Sequence, residues 1–128
     1  NFDPDPNGVA FRSESRDGGH NWSPAERTQF YNPNSALDII KLQNGHLLMV
    51  YNDNNQAERM PLTVVISTDN DKTWPYRRNI VNKPGDTAAY PVAIQSKDGK
   101  IHIVYTSSVR TQINHAVFEE SAILNYKQ

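Results

Sequence analysis

A short motif occurs twice in this chain, and the distance between its two copies restricts the fold more than any other feature. Residues 15–22 (SRDGGHNW) and 67–74 (STDNDKTW) share the pattern S-x-D-x-(G/D)-x-(N/T)-W at an offset of 52 residues. A second pair, residues 44–51 (NGHLLMVY) and 98–105 (DGKIHIVY), repeats at an offset of 54 residues. Each of these begins with an Asn-Gly or Asp-Gly turn that leads into an apolar strand. The chain is therefore predicted to repeat one structural unit of roughly 50 residues.

Apolar runs between these turns predict the strands. The stronger candidates are rich in Val, Ile, Leu and Tyr, and they cover Val9 to Ser15, Ala36 to Leu42, His46 to Asn52, Leu62 to Ser67, Tyr90 to Gln95, Ile101 to Thr106 and Gln112 to Phe118. Weaker candidates for edge strands follow each Trp, at Glu26 to Phe30 and Tyr76 to Val81. In no stretch do the apolar residues recur with the 3.6-residue period of an amphipathic helix. In chain order these elements make two outer strands, one complete four-strand unit and three strands of the next, which predicts an all-β fold of β-propeller blades.

The whole chain, residues 1–128, is predicted to be one β-propeller segment of about two to three blades. Its blades are four-stranded antiparallel sheets. The set is either incomplete or closed by oligomerisation, because a lone segment leaves strand edges unpaired. The repeated motif has a structural role in such blades. Asp17 and Asp69 are expected to accept backbone N–H bonds across a tight turn, and Trp22 and Trp74 to pack under that turn between neighbouring sheets.

The composition excludes several classes of function. A formal net charge of −1 at pH 7 provides no excess of positive charge for binding nucleic acid or a membrane surface. No apolar run is long enough to span a membrane. The absence of Cys excludes a disulfide framework, a thiol nucleophile and a thiolate zinc site. The four His residues show no metal-ligand spacing, so neither a metal nor another cofactor is expected.

The compartment stays open, with a secreted or extracytoplasmic location slightly favoured. Residues 1–7 are polar and rich in Pro, unlike a basic region followed by an apolar stretch. We therefore expect that a signal was removed or that the true start lies upstream.

Motifs of this kind at blade spacing are Asp-boxes, and the chain resembles the sialidase (neuraminidase) superfamily in its Asp-box, or neuraminidase-repeat, branch. The resemblance extends beyond the two boxes. It includes residues 32–38 (NPNSALD), residues 44–52 (NGHLLMVYN), residues 59–67 (RMPLTVVIS) and residues 89–91 (AYP). It implies the C-terminal part of a six-bladed propeller whose earlier blades are missing from this chain.

The resemblance also implies a chemistry. Sialidases are retaining glycosidases with a tyrosine nucleophile. This suits a substrate with a carboxylate on its anomeric carbon, because that carboxylate does not repel a neutral phenol, and arginines grip it. By this resemblance Tyr90 lies near the nucleophile position and Arg59 near the last of three arginines. Each also has a plainer interpretation, Tyr90 as an interior aromatic at a strand start and Arg59 as a solvated loop cation.

The chain departs from the sialidase pattern at two positions. Before the position of Ile39, where sialidases carry a Glu base, this chain has only Asn34, Ser35 and Asp38. At the end of the next strand, where they carry a second arginine, it has Asn52. Asp38 is interpreted either as a substitute base or as a channel-facing carboxylate that binds water. The first arginine and the acid/base aspartate of the family belong to blades absent from this chain.

Blade topology independently brings the candidate residues together. In an antiparallel blade alternate loops share a rim, so both hairpin turns and both Asp-boxes lie on one rim and the remaining loops on the other. The second rim is expected to collect Asn34 and Ser35, the loop from Asp53 to Arg59, Tyr90, and the loop from Ser107 to Arg110. The catalytic candidates are Tyr90 and Asp38, and the substrate-binding candidates are Arg59, Arg110, Asn34, Ser35, Asn52 and Asp53. Arg110 is equally interpreted as an ordinary surface charge. A polar rim of mixed charge with many donors suits a sugar.

Two main hypotheses of function follow. The first is a sialidase-like glycoside hydrolase, or part of one, that acts on terminal acidic sugars such as sialic acid. The alternative is a non-catalytic, lectin-like propeller for sialylated or other glycans, in which several chains, such as a homotrimer, close six blades. The retained Tyr90 and Arg59 favour the enzyme, whereas the loss of a recognisable Glu base favours the lectin. A third hypothesis is a degenerate relative kept only for protein contacts.

Overall fold

The computed structural model describes residues 8–127, and the regular structure of this part of the chain is nine antiparallel strands and one short helix. Its elements are β1 (Val9–Arg12), β2 (Glu26–Tyr31), β3 (Asp38–Lys41), β4 (Leu47–Asn52), β5 (Leu62–Ser67), β6 (Tyr76–Val81), β7 (Ala88–Gln95), β8 (Ile101–Ser107), β9 (Gln112–Phe118) and α1 (Ser121–Leu124). The strands form three sheets in the orders β1-β2, β3-β4-β5-β6 and β7-β8-β9. We name these sheets blade 1, blade 2 and blade 3. The predicted all-β fold and its order of two, four and three strands are confirmed.

Strand boundaries differ from the prediction at a few ends. The weak candidates after each Trp are regular strands, β2 and β6. The first strand stops at Arg12, because the chain then turns into the Asp-box, where the Ser23 N–H donates to the Glu14 carbonyl at 2.8 Å. The short helix α1 was not anticipated, since four residues are too few to show a helical period. It buries Ile123 in the apolar core between blade 2 and blade 3.

Blade 2 is covered on both faces, which explains the almost continuous apolar sequence of its central strands. Successive side chains of a strand point to opposite faces. Leu48 and Val50 therefore enter a core shared with blade 3, where they meet residues such as Ile103. Met49 and Tyr51 enter a smaller core shared with blade 1, which includes Phe30, Leu37, Val65 and Trp74. Packing of one sheet on the next, as in propeller blades, positions the loops at the two rims.

The two Asp-boxes have the predicted hydrogen bonds. In the first, Asp17 Oδ1 accepts the Asn21 N–H at 2.9 Å. In the second, Asp69 Oδ1 accepts the Thr73 N–H at 2.8 Å, and Asp69 Oδ2 accepts the Thr73 hydroxyl at 2.5 Å. The expectation that Asp accepts backbone N–H bonds across the turn is therefore confirmed at both positions.

The two Trp residues of the boxes differ. Trp74 packs in the smaller core, with its ring edge-on to Phe30 at a centroid distance of 5.6 Å. Trp22 is 64% exposed, so its predicted position between two sheets is wrong for the described residues. The physical reason is that residues 8–127 place no sheet on the outer side of blade 1.

Acid is expected to destabilise the protein through these boxes. Side-chain hydrogen bonds, from Asn21 to Asp17 and from Thr73 to Asp69, are the largest cause that lowers each pKa from 3.8 to about 2. Because the folded-state pKa is the lower one, this stabilisation is present above about pH 4 and is lost as the pH falls toward 2. The melting temperature is expected to fall across this window in thermal unfolding experiments. The double variant Asp17→Asn/Asp69→Asn cannot take up those protons, so its melting temperature should fall less steeply with decreasing pH. If the melting temperatures of the variant and the wild type fall equally steeply, the two Asp residues are not the source of the acid sensitivity.

Candidate functional site

One rim of the blades gathers the loops between β2 and β3, β4 and β5, β6 and β7, and β8 and β9. The Asp-boxes and both Asn/Asp-Gly hairpins lie on the other rim, as an antiparallel meander requires. We call the first of these the site rim. It carries Asn34, Asp53, Arg59 and Arg110 in its loops, and Tyr90 near the start of β7.

Two arginines converge on Tyr90 at the site rim. The Arg59 Cζ lies 5.1 Å from the centroid of the Tyr90 ring. Hydrogen bonding from Arg59, then its charge, and then hydrogen bonding and charge from Arg110 lower the pKa of the Tyr90 phenol below its ordinary value. The Tyr90 side chain remains 43% exposed. We call Arg59, Tyr90 and Arg110 the rim cluster.

Both arginines of the rim cluster line a shallow cavity of about 260 Å³, together with Thr87, Ala89 and Val109. Arg59 is anchored from the side, since its Nη2 donates to the Asn34 carbonyl at 3.2 Å. The cavity therefore presents two cations on a polar rim to anything that binds there.

Tyr90 has an unusual backbone that turns it out of the sheet. Its φ is +53°, and the pairing of β7 with β8 shifts register between Ala89 and Val92. A bulky residue with positive φ is uncommon, and β-bulges of this kind redirect side chains beside functional sites. Pro91, which has no N–H for the ladder, follows directly. The bulge thus presents the Tyr90 phenol to the rim, while Ala88 and Ala89 remain buried.

Asn52 lies beneath the rim and is only 1% exposed. Its Nδ2 donates to the Pro61 carbonyl at 3.0 Å and to the Ala88 carbonyl at 2.8 Å. The Ala88 N–H in turn donates to the Arg59 carbonyl at 2.8 Å. Asn52, predicted as a substrate-binding residue, therefore joins the two segments that carry Arg59 and Tyr90, and its own side chain is buried.

Asp53, also predicted to bind substrate, forms an ion pair with Arg77 Nη2. It lies beside Tyr51, whose pKa is raised first by burial and second by the Asp53 charge. Asn34 and Ser35 form a tight turn in which Asn34 has a φ of +55°. The Ser35 Oγ is buried without a partner among the described residues. Of these residues, Asn34 alone has a hydrogen bond to the rim cluster among those described, through its carbonyl.

Asp38 lies on β3 and connects two neighbouring blades. Its Oδ2 accepts the Ala93 N–H of β7 at 2.8 Å, and its Oδ1 accepts the Ile39 N–H at 3.0 Å. Both carboxylate oxygens are thus engaged by backbone donors. This contact joins the innermost strands of blade 2 and blade 3 in the described structure.

Asp86 and Thr87 were not among the residues predicted for the site, yet they contact the loop that carries Arg110. Asp86 Oδ1 accepts the Ser108 N–H at 2.8 Å, and Thr87 Oγ1 accepts the Val109 N–H at 2.9 Å. The signal in the sequence was Pro-Gly-Asp-Thr, a turn pattern directly before a strand of the site rim. Turn chemistry alone does not identify the loop that it will hold.

Other site chemistries have little support in residues 8–127. No group of three or more His, Asp or Glu side chains there is arranged to hold a metal ion. His102 Nδ1 lies 2.9 Å from His115 Nε2, a cross-strand pair away from the site rim. No helix in the described part of the chain is long and apolar enough to cross a membrane.

Comparison with known proteins finds one family. A family model described as a BNR repeat-like domain matches residues 5–103, which is more than half of the chain. No curated protein matches the chain. The matched residues include both Asp-boxes, Arg59 and Tyr90, whereas Arg110 and β9 lie beyond them.

Proposed function

The chain belongs to the BNR repeat-like domain family, and from this premise we propose that it is part of a sialidase-like glycoside hydrolase acting on terminal acidic sugars such as sialic acid. One observation carries the proposal. One arginine, Arg59, lies over the ring of the half-exposed Tyr90, and it lines the same cavity at the site rim as a second arginine, Arg110. This combination suits a sugar that bears both a carboxylate and a reactive anomeric carbon.

Recognition would rest on Arg59 and Arg110. A guanidinium presents a planar fork of N–H donors that matches a carboxylate, and charge-assisted hydrogen bonds of this kind are stronger than neutral ones. Both arginines line the same cavity, so one bound carboxylate could meet both cations. The pair therefore favours an acidic sugar.

Tyr90 would supply the nucleophile. As its oxygen attacks the anomeric carbon, the phenol proton passes to a base on another blade, the bond from that carbon to the leaving oxygen breaks, and the leaving oxygen takes a proton from an acid on another blade. Water then attacks the anomeric carbon and gives a proton back to that acid, while the tyrosyl–sugar bond breaks and the phenol oxygen recovers its proton from the base. By lowering the pKa of Tyr90, the two arginines ease the loss of the phenol proton as the oxygen attacks.

The surroundings of Asp38 favour a second candidate function, a non-catalytic glycan-binding propeller assembled from several chains. Both oxygens of Asp38 accept backbone N–H bonds, so the carboxylate nearest to the family's base position already has a structural role. Exposed apolar side chains on the outer faces of blades 1 and 3 would suit further blades or further copies of the chain; they include Phe11, Trp22, Val92, Ile94, Val104, Ile113 and Val117.

Hydrolysis of a fluorogenic sialoside and calorimetric binding of N-acetylneuraminic acid test the proposal together. For the enzyme, Tyr90→Phe is expected to abolish turnover and to leave binding within a few-fold, because the arginines remain. The matched control is Tyr126→Phe, which changes a tyrosine of similar exposure, 46%, that also has an arginine over its ring, Arg78 at 4.6 Å. This control should keep full activity.

The outcomes separate the two functions. Turnover that depends on Tyr90 but not on Tyr126 supports the hydrolase. Tight binding with zero turnover, in an assembly whose blades are complete, supports the lectin-like propeller. Absence of both binding and turnover from such an assembly would overturn both.

A further inference from the structure

We propose that Asp86 and Thr87 are positioning residues that hold the β8–β9 turn in a left-handed conformation and thereby direct Arg110 at Tyr90. The inference rests on the proposed function of the rim cluster and extends it to residues outside that cluster. Neither side chain contacts the phenol in the described interactions, so both would act through the turn.

The turn itself adopts a conformation that its residues do not favour. Ser108, Val109 and Arg110 have φ angles of +49°, +53° and +67° in succession. L-residues other than Gly enter this region as single residues, and a β-branched residue such as Val109 is a genuine outlier there. Three in a row persist only where the surroundings hold them.

The loop between β6 and β7 provides the necessary acceptors. Asp86 Oδ1 receives the Thr87 N–H at 2.7 Å and the Ser108 N–H at 2.8 Å. Thr87 Oγ1 receives the Val109 N–H at 2.9 Å. These bonds satisfy the amide groups of Ser108 and Val109, and the backbone hydrogen bonds from Thr87 and Ser108 lower the pKa of Asp86. The turn then closes on itself, with the Thr111 hydroxyl donating to the Ser108 carbonyl at 2.7 Å.

The conformation of the β8–β9 turn affects the rim cluster through Arg110. Arg110 is the last of the three left-handed residues, and it lines the same cavity as Arg59 and Thr87. Its hydrogen bonding and charge also contribute to lowering the pKa of the Tyr90 phenol. If the acceptors are removed, the turn can relax to ordinary φ angles, and the direction of the Arg110 side chain changes with its backbone. Asp86 and Thr87 would thus decide whether the rim presents one arginine or two.

Thr87→Val is the decisive variant, because it keeps the branched shape of the side chain and removes only the acceptor. Thr87→Ser keeps the hydroxyl and should restore the wild-type behaviour. Asp86→Ala and Asp86→Asn make a second pair, in which Asn retains a neutral acceptor. Asp98→Ala is the control, since Asp98 also accepts an N–H, from Lys100 at 3.1 Å, in a turn of the opposite rim.

The first readout needs no sugar. NMR titration of tyrosine labelled in its ring, with Tyr90→Phe to assign the signal, gives the pKa of Tyr90 directly. Thr87→Val and Asp86→Ala are expected to raise this pKa toward its ordinary value, as Arg110→Ala does. Because Thr87→Val and Asp86→Ala both act through Arg110, neither substitution should raise the pKa of Tyr90 further when it is added to Arg110→Ala. Thr87→Ser and Asp98→Ala should leave it at the wild-type value.

The second readout is calorimetric binding of N-acetylneuraminic acid. Loss of one charge-assisted contact predicts affinity weaker by roughly tenfold for Thr87→Val, with Thr87→Ser and Asp98→Ala unchanged. If Thr87→Val folds and shows both the wild-type pKa of Tyr90 and the wild-type affinity for the sugar, the positioning role is wrong. The proposed function is not affected by that outcome, because the sugar still binds. If the wild type binds no acidic sugar but the pKa coupling is present, the positioning role stands and the proposed function fails.

Discussion

Arg59→Ala is expected to weaken the binding of N-acetylneuraminic acid by roughly 10- to 100-fold, which corresponds to the loss of about 1.5–3 kcal/mol for a hydrogen-bonded charged group. Arg59 is the guanidinium that both covers the Tyr90 ring and makes the largest contribution to lowering the pKa of its phenol. The same variant should therefore raise the pKa of Tyr90. Calorimetry measures the affinity and NMR titration measures the pKa.

The chain offers a closely matched control for this variant. Arg78 lies over the ring of Tyr126 at 4.6 Å and also donates to a backbone carbonyl, that of Ala122, at 3.1 Å. Arg78→Ala removes a comparable cation–ring contact away from the site rim, and it should leave affinity for the sugar unchanged. Arg59→Lys, which keeps the charge but not the fork, should show an intermediate loss. An equal effect of Arg59→Ala and Arg78→Ala would exclude a specific role for Arg59.

Asn52→Leu is expected to lower the free energy of unfolding by about 2–4 kcal/mol, because each buried acceptor left without a donor costs about 1–3 kcal/mol. Two carbonyls, those of Pro61 and Ala88, depend on the Asn52 amide. Leucine has a similar size but no donor. Chemical denaturation of the folded variant measures the change.

Asn114→Leu is the matched control for this change in the next blade. Asn114 makes one side-chain hydrogen bond, to the Ser107 hydroxyl at 2.6 Å, and its side chain is only partly buried. Its replacement should cost about 1 kcal/mol or less. Asn52→Leu should also weaken sugar binding, since Asn52 joins the segments of Arg59 and Tyr90. If the two variants lose the same stability, the buried carbonyls do not depend on Asn52.

Much of the fold could be predicted because its signals are local. The two Asp-boxes and the two Asn/Asp-Gly hairpins indicate where strands begin and end, and the apolar runs between these turns indicate the strands themselves. These signals led to the observed order of two, four and three strands. The exposure of Trp22 was not predicted, because a box motif specifies its own turn and contains no information on whether a sheet lies beside it.

The site could be predicted only in part. Topology placed the loops of Arg59, Tyr90 and Arg110 on the same rim; in the structure Arg59 lies over the Tyr90 ring, and both arginines line one cavity. The resemblance drew attention to Tyr90 and Arg59. It did not indicate the bulge that turns Tyr90 outward, although Pro91 was a signal for an interrupted ladder.

The sequence by itself determined the blades, their order and the rim on which the polar loops meet, because turns and apolar runs are set by a few neighbouring residues. Only the tertiary structure decided which polar side chains of that rim are available. It buried Asn52 under the loops, paired Asp53 with Arg77 and joined Asp38 to the next blade. It also brought Asp86 to the turn of Arg110. Each of these contacts joins residues far apart in the chain, and a carboxylate or an amide in sequence does not reveal which distant N–H or carbonyl it will meet.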